Sequence, residues 1–248
     1  MNSKSKLLIL LFIATGLSIP DSVWAQMFSV GNNGRVFSPP TSAVVAGIEP
    51  FEFNFTGDPD QLESDQAPNY TFYDPVYRLR LEIPGFQLYG GYGRNLSESD
   101  NLNYLNIGLT LTGGMNMLTR PRFRLLVPLE INTEYTQVIN NTVSDRNNEF
   151  RQSAILIGAG LGFSIQPADR IRITSRGLPM IGFSVSSQSG EGGVKYQIEN
   201  RNRIYLDNLF GRTGLVFGVD FRFSDYNSEQ NRFQYESFAN SLMIGLSF

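Results

Sequence analysis

Residues 238–248 read Phe-Ala-Asn-Ser-Leu-Met-Ile-Gly-Leu-Ser-Phe and alternate between two kinds of side chain. The large apolar side chains share one face, namely Phe238, Leu242, Ile244, Leu246 and Phe248. Small or polar side chains and one methionine share the other face, namely Ala239, Ser241, Met243, Gly245 and Ser247. A period of two is that of a β-strand, in which successive side chains point to opposite faces. This segment therefore predicts a strand with one apolar face.

The same alternation recurs along the chain back to residue 44, with turn-like or polar segments in between. One strand is expected between the Pro84-Gly85 turn and the polar segment 94–101. The other predicted strands span residues 44–56, 70–83, 102–113, 122–138, 150–166, 171–187, 193–207, 212–224 and 232–248.

The medium outside these strands decides between two all-β folds. A secreted β-sandwich would bury its apolar faces in a core. Here the opposite faces are rich in glycine, serine and paired charges, and Phe and Tyr lie near segment ends, which is typical of membrane boundaries. Most segments reach the roughly 9–11 residues that a tilted membrane-crossing strand needs. Hydrocarbon cannot hydrogen-bond the backbone, so such a sheet must close. We predict a closed antiparallel transmembrane β-barrel.

Parity sets the expected number of strands at ten. Barrels of this kind have an even number of strands, with short turns at one end and longer loops at the other. This rule demands a strand before 70–83, and segment 44–56 is the candidate, with Phe51, Phe53 and Phe55 predicted to face lipid. An eight-stranded barrel is the alternative if segment 44–56 stays outside the sheet.

Two stretches fit the pattern less well. Asn200 and Asn202 share the apolar face of strand 193–207, which predicts a bulge there or a portion above the membrane. Residues 26–43 show little alternation and contain Gly34, Pro39 and Pro40. We expect them to form a periplasmic tail or a segment inside the lumen.

Residues 1–25 have the three parts of a secretory signal peptide. Lys4 and Lys6 precede an apolar run over 7–17, which is too short to span a bilayer, and small residues precede a predicted break after Ala25. An N-terminal anchor helix is the alternative. Removal of this peptide leaves 18 basic and 22 acidic residues, a net charge of −4, which does not suggest a nucleic-acid partner. The barrel, residues 44–248, is expected to be one domain.

The chain contains no cysteine and no histidine. Their absence excludes disulfides, thiolate or imidazole zinc sites, and a Ser-His-Asp triad. Glu130 and Glu134 lie about 13 Å apart along a strand, too far for a glycosidase pair. The glycine-rich segments 90–93 and 158–162 carry no P-loop lysine and indicate close packing. We predict no catalytic residue and no cofactor.

An acidic stretch containing Asp58, Asp60, Glu63 and Asp65 does not have the spacing of an EF-hand, so a solvated loop is expected rather than a metal site.

The predicted inner faces carry many charged side chains, and nine are basic and six acidic. They are Arg78, Arg80, Glu82, Arg124, Glu130, Glu134, Arg172, Arg176, Lys195, Glu199, Arg201, Arg203, Asp207, Asp220 and Arg222. Isolated buried charges are costly, so these groups must pair or contact water. One hypothesis is a salt-bridged plug that fills a narrow barrel. The other is a charge-lined pore or an anion-preferring pocket.

The signal peptide, the amphipathic strands and the terminal segment 241–248 together resemble the Gram-negative outer-membrane β-barrel superfamily, with a small glycine- and arginine-rich barrel of the Bacteroidetes type. The resemblance implies outer-membrane lipid as surroundings and the barrel-assembly machinery as a partner, which would read Leu242, Ile244, Leu246 and Phe248. The barrel enzymes of that membrane rely on histidine. The resemblance therefore implies a structural or interaction role, with a narrow porin-like channel as the alternative and an enzyme as the least favoured function.

Overall fold

The computed structural model describes residues 42–57, 69–94, 102–140, 149–186, 192–228 and 233–248. The strands within these ranges are β1 (Ala43–Gly57), β2 (Asn69–Ile83), β3 (Phe86–Arg94), β4 (Leu102–Arg120), β5 (Phe123–Asn140), β6 (Glu149–Ala159), β7 (Leu161–Ala168), β8 (Ile171–Ser186), β9 (Gly192–Phe210), β10 (Thr213–Ser228) and β11 (Phe233–Ser247). The predicted signal peptide and the acidic stretch 58–65 lie outside the described residues, as does nearly all of segment 26–43.

The strands form one closed antiparallel barrel. From β1 to β5 and from β8 to β11, each strand pairs with the next in sequence. The pairing of β1 with β11 and the strands β6 and β7 between β5 and β8 complete the ring. Strands β6 and β7 are two halves of one barrel strand interrupted at Gly160, because both pair with β5 and with β8. The barrel therefore has ten strands. The prediction of ten is confirmed over the alternative of eight, since β1 is bonded to β2 on one side and β11 on the other.

Burial follows the alternation that the sequence predicts, with apolar side chains outside and polar ones inside. On β11, Leu242 is 68% exposed and Ile244 is 56% exposed, whereas Ser241 and Met243 on the opposite face are buried. On β10, Phe217 and Val219 are exposed, and Asp220 is buried. Because a protein in water would bury the first set, the barrel has the inverted burial expected of a protein surrounded by hydrocarbon. None of the described residues forms a helix long and apolar enough to cross a membrane.

The two ends of the barrel differ in their connections. At one end, called the turn end, tight turns at 84–85, 121–122, 169–170 and 211–212 join the strands. Gly85 and Gly211 adopt φ values of 81° and 70° there, a conformation that favours glycine. Both ends of the described chain meet at the turn end, where Phe248 N donates to Ser42 O. The opposite end is called the loop end.

The predicted lipid exposure of Phe51, Phe53 and Phe55 is wrong. These side chains are only 2%, 1% and 3% exposed, and they face the interior. Toward the loop end, the outward face of β1 carries Glu52 and Asn54 instead, which hydrogen-bond each other. Polar outward residues indicate that this part of β1 extends beyond the hydrocarbon, so the apolar face can turn inward.

The predicted bulge at Asn200 and Asn202 is also wrong. The register of β9 with β8 and β10 continues unbroken through both residues, and outward apolar residues flank them on both sides. Asn202 donates to the Oδ1 atom of Asn200 and to the carbonyl of Val219, and Asn200 donates to the carbonyl of Arg176. The two amides therefore satisfy each other and the backbone. Strand β4 also runs to Arg120 rather than to residue 113.

Replacing Leu242 with lysine tests the inverted burial. A lysine on the lipid face costs about 2–4 kcal/mol near the bilayer midplane and about 0–1 kcal/mol near an interface. We expect Leu242→Lys to lower the free energy of unfolding by the larger amount and Gln234→Lys, on the outward face of β11 near the loop end, by the smaller. Urea titration in lipid vesicles, followed by circular dichroism, measures both. Equal small losses would contradict a lipid-facing Leu242.

Candidate functional site in the barrel interior

A chain of alternating charges crosses the middle of the barrel. It is called the central ion-pair chain and runs Arg176–Glu130–Arg201–Glu199–Arg80–Asp220–Arg203–Glu82. Arg201 and Glu199 are two residues apart on β9 and share its inner face, so the guanidinium binds that carboxylate through two nitrogens. Other pairs span the lumen, such as Arg203 of β9 with Glu82 of β2 at 2.8 Å. The chain ties strands together that do not pair through their backbones.

Two further ion pairs flank the central ion-pair chain. Lys195 of β9 pairs with Glu134 of β5, whose other carboxylate oxygen accepts a hydrogen bond from the hydroxyl of Tyr89. Near the turn end, Arg172 donates through Nε and Nη2 to Asp207. The Arg172 guanidinium also lies 4.1 Å from the centroid of the Tyr205 ring, a cation–π geometry. These contacts hold long side chains in fixed positions.

The sequence prediction missed two charged residues of the described interior, Glu49 and Asp74. Glu49 of β1 is 2% exposed and pairs with Arg78 at 2.5 Å and with Arg222 at 3.1 Å. The hydroxyl of Ser241 donates to the second oxygen of the same carboxylate. Glu49 has the same parity as Phe51, so assigning that face to lipid removed Glu49 from the predicted interior. The alternation of charge between β1 and β2, Glu49 with Arg78, was the signal that could have found it.

The predicted interior charges all point inward, and all except Arg124 take part in the ion pairs above. Arg124 lines a cavity at the turn end. Asp74 of β2 lies opposite the inward Phe51 and has a buried Oδ2 atom. With Glu49 and Asp74 added, the described interior has nine basic and eight acidic side chains. Basic side chains therefore still outnumber acidic ones in the described interior.

An aromatic cluster fills the interior toward the loop end. Its rings are buried and come from six strands; they are Phe51, Phe53, Phe55, Phe72, Tyr104, Phe150, Tyr226 and Tyr235. The rings of Phe53 and Tyr235 have centroids 4.8 Å apart, and those of Phe51 and Tyr104 are 4.4 Å apart, within the usual range for aromatic pairs. The hydroxyl of Tyr235 donates across the barrel to Gln152 of β6. The predicted set of interior residues did not contain this cluster.

The part of the interior formed by the described residues contains a small and a larger cavity. The first lies between the aromatic cluster and the ion pairs of Lys195 and Arg222 and has a volume of about 10 Å³, which is close to the minimum for one water molecule. The second has a volume of about 260 Å³, lies beside the Pro84-Gly85 turn, and is called the turn-end cavity.

Glu130 and Glu134, the two carboxylates that lie on one face of β5, are both held in ion pairs. Glu130 is bound by Arg176 and Arg201, and Glu134 is bound by Lys195. Within the described ranges, no three Asp or Glu side chains converge to hold a metal ion. A buried carboxylate held between guanidinium groups serves as a counter-ion.

A closed antiparallel barrel with an apolar exterior and an ion-paired interior is the architecture of outer-membrane β-barrel proteins. The chain has the fold of that superfamily.

No protein-family model and no curated protein sequence matches this chain. Among solved structures, the outer membrane protease OmpT from Escherichia coli is similar with a TM-score of 0.47 and 7% identity, over 84% of this chain and 95% of that one. Ail, the attachment invasion locus protein of Yersinia pestis, has a TM-score of 0.27 and 9% identity, over 84% and 98%. The Ralstonia pickettii toluene transporter TbuX has a TM-score of 0.22 and 8% identity, over 83% and 89%. The fold assignment rests on the strand pairing and burial described above.

Proposed function

We propose that this protein is exported to the outer membrane of a Gram-negative cell and serves there as a structural or interaction barrel with a sealed lumen. In that setting the turn end faces the periplasm and the loop end faces the exterior. The proposed environment explains the apolar outer face, and the terminal residues Leu242, Ile244, Leu246 and Phe248 are the proposed assembly signal.

One observation carries the proposal of a sealed lumen. The aromatic cluster lies toward the loop end, and the central ion-pair chain crosses the barrel below it. The cavity between that cluster and the ion pairs of Lys195 and Arg222 has a volume of about 10 Å³. Hydrated ions need a continuous aqueous path, which aromatic rings and ion pairs packed across the barrel would interrupt. A barrel that conducts nothing can still present its exterior loops to a partner.

Conductance across a planar lipid bilayer tests this proposal. We expect the wild-type barrel to give no stable stepwise openings, because side chains occupy its cross-section. Arg222→Ala removes a guanidinium that lines the small cavity and pairs with Glu49, so it should raise the conductance. Arg212→Ala, at an exposed turn-end position, is the matched control and should leave the barrel silent. Stable single-step openings of the wild-type protein would overturn the sealed lumen.

A narrow channel for small solutes is the second candidate function. The observation that favours it is the excess of nine basic over eight acidic side chains in the described interior, which would select anions. Anion-selective openings of the wild-type protein in the same experiment would support it.

We propose no enzymatic activity. The chain has no histidine or cysteine, and Glu130 and Glu134 are held in ion pairs. Incubating the folded protein with phospholipid and with peptides, followed by mass spectrometry, should show no turnover. Turnover that is lost in a variant folded to the same extent would overturn this proposal.

A further inference from the structure

The turn-end cavity is lined by an unequal set of charges. Its lining carries five arginines and one carboxylate, namely Arg124, Arg172, Arg176, Arg201, Arg203 and Glu82. Four carboxylates that pair with these arginines, Asp207, Glu130, Glu199 and Asp220, do not line the cavity. The walls therefore carry more guanidinium groups than carboxylates, since most of the counter-ions do not line the cavity.

The carboxylates are also shared between arginines. Glu130 pairs with both Arg176 and Arg201, and Glu199 pairs with both Arg201 and Arg80. The sharing is mutual, because Arg201 contacts both Glu130 and Glu199, so the attraction for another anion comes from the guanidinium groups that line the cavity and not from an unmatched charge in the chain. Low-dielectric walls strengthen that attraction relative to an exposed arginine.

Three of the arginines are placed to receive a ligand. Arg176 keeps 23% of its side chain exposed while it binds Glu130. Arg172 is held by Asp207 and by the Tyr205 ring, so little flexibility is lost on binding. Arg124 and Arg172 both line the cavity, so their like charges face the same space. An anion between these two groups would be attracted to both.

The size of the cavity limits the ligand. Drug-sized ligands occupy cavities of about 300–1,000 Å³, so a cavity of about 260 Å³ admits only a small group.

We propose that the turn-end cavity binds a phosphate group through Arg124, Arg172 and Arg176. Guanidinium groups suit this ligand, because they donate in a fork that matches two phosphate oxygens, and several can share one phosphate. The phosphate belongs either to a small soluble molecule or to a lipid headgroup at the adjacent membrane surface. The site does not depend on whether the lumen conducts, since its ligand enters from the turn end.

Isothermal titration calorimetry with inorganic phosphate tests the site, using the folded barrel in non-ionic detergent with the ionic strength held constant by sodium chloride. We expect saturable binding with one phosphate per chain. Arg124→Gln combined with Arg176→Gln should weaken binding at least tenfold. Arg212→Gln removes an exposed turn-end arginine that does not line the cavity, and it should bind phosphate as the wild type does.

A second variant covers the case in which loss of the Arg176 ion pair prevents folding. Ser164 lines the cavity and is 7% exposed, so Ser164→Leu fills the space and leaves every arginine in place. It should also abolish binding. Undiminished binding in both altered barrels would overturn the proposal.

A short-chain phosphatidylglycerol, added as a monomer, distinguishes the two sources of phosphate. A headgroup site predicts that this lipid binds and displaces inorganic phosphate, again only when the arginines are present. A site for a soluble molecule predicts no displacement. Wild-type protein that binds neither probe would refute the site, whatever the conductance experiment shows.

Discussion

Glu49→Gln should lower the free energy of unfolding by about 3–5 kcal/mol, the usual cost of removing one partner of a buried ion pair. The loss is expected at the upper end of single substitutions, because Glu49 is the carboxylate that pairs with both Arg78 and Arg222. Glutamine keeps the size of the side chain but leaves the positive charge of two buried guanidinium groups uncompensated. The only tryptophan, Trp24, lies in the predicted signal peptide. Urea titrations of the mature barrel should therefore be followed by circular dichroism.

Glu52→Gln is the matched control, because Glu52 lies on the same strand and faces outward. It should change the free energy of unfolding by less than about 0.5 kcal/mol. A double variant that combines Glu49→Gln with Arg78→Gln should lose less than the sum of the two single variants, since the removed groups contact each other. Strict additivity, or equal losses for Glu49→Gln and the control, would contradict the ion-paired position of Glu49.

The alternation of residues was enough to predict the closed barrel and its ten strands. Strand β11 shows why: one face from Phe238 to Phe248 is mostly apolar, and the other carries serine, glycine and alanine. Hydrocarbon permits only such a pattern, and it also forces the sheet to close. The restriction comes from the solvent, so it can be read from each strand without knowledge of its partners.

The same reasoning failed where β1 leaves the hydrocarbon. The sequence pattern assigns Phe51, Phe53 and Phe55 to the outer face only if every apolar face contacts lipid. The polar residues Glu52 and Asn54 on the opposite face indicate that water surrounds this part of the strand. The error arose because alternation gives the two faces of a strand but not their depth in the membrane. Asn200 and Asn202 show the converse, since two polar side chains remain on the lipid face by hydrogen-bonding each other and the backbone.

The inward direction of the charged residues was predictable, but their partners were not. Arg80 and Glu199 are 119 positions apart in sequence, and their contact depends on the register and tilt of all strands between β2 and β9. The turn-end cavity was equally inaccessible to sequence reasoning. It depends on where the β2–β3 turn ends relative to β4, which continues from Thr112 beside Gly85 to Arg120.

Phe53→Ala should lower the free energy of unfolding by about 3–5 kcal/mol, because it opens a cavity in the aromatic cluster. Phe53 is 1% exposed, and its ring packs against those of Phe51, Phe150 and Tyr235 at centroid distances of 6.4, 5.9 and 4.8 Å. Surrounding rings that are fixed to different strands cannot all move into the space. The loss therefore combines the transfer of the side chain with the cost of an empty volume. Urea titration in lipid vesicles measures it.

Phe217→Ala is the matched control for this prediction, since Phe217 lies on the outward face of β10 and is 41% exposed. Lipid chains can occupy the space that its ring leaves, so only the transfer of the side chain is lost, about 1.5–3 kcal/mol. The difference between the two variants thus reports the cavity, which exists only if Phe53 faces the interior. Equal losses would show that both rings contact lipid. A larger loss for Phe53→Ala would establish that the loop end is held by aromatic packing, in a part of the barrel where water lies outside and the apolar core lies within.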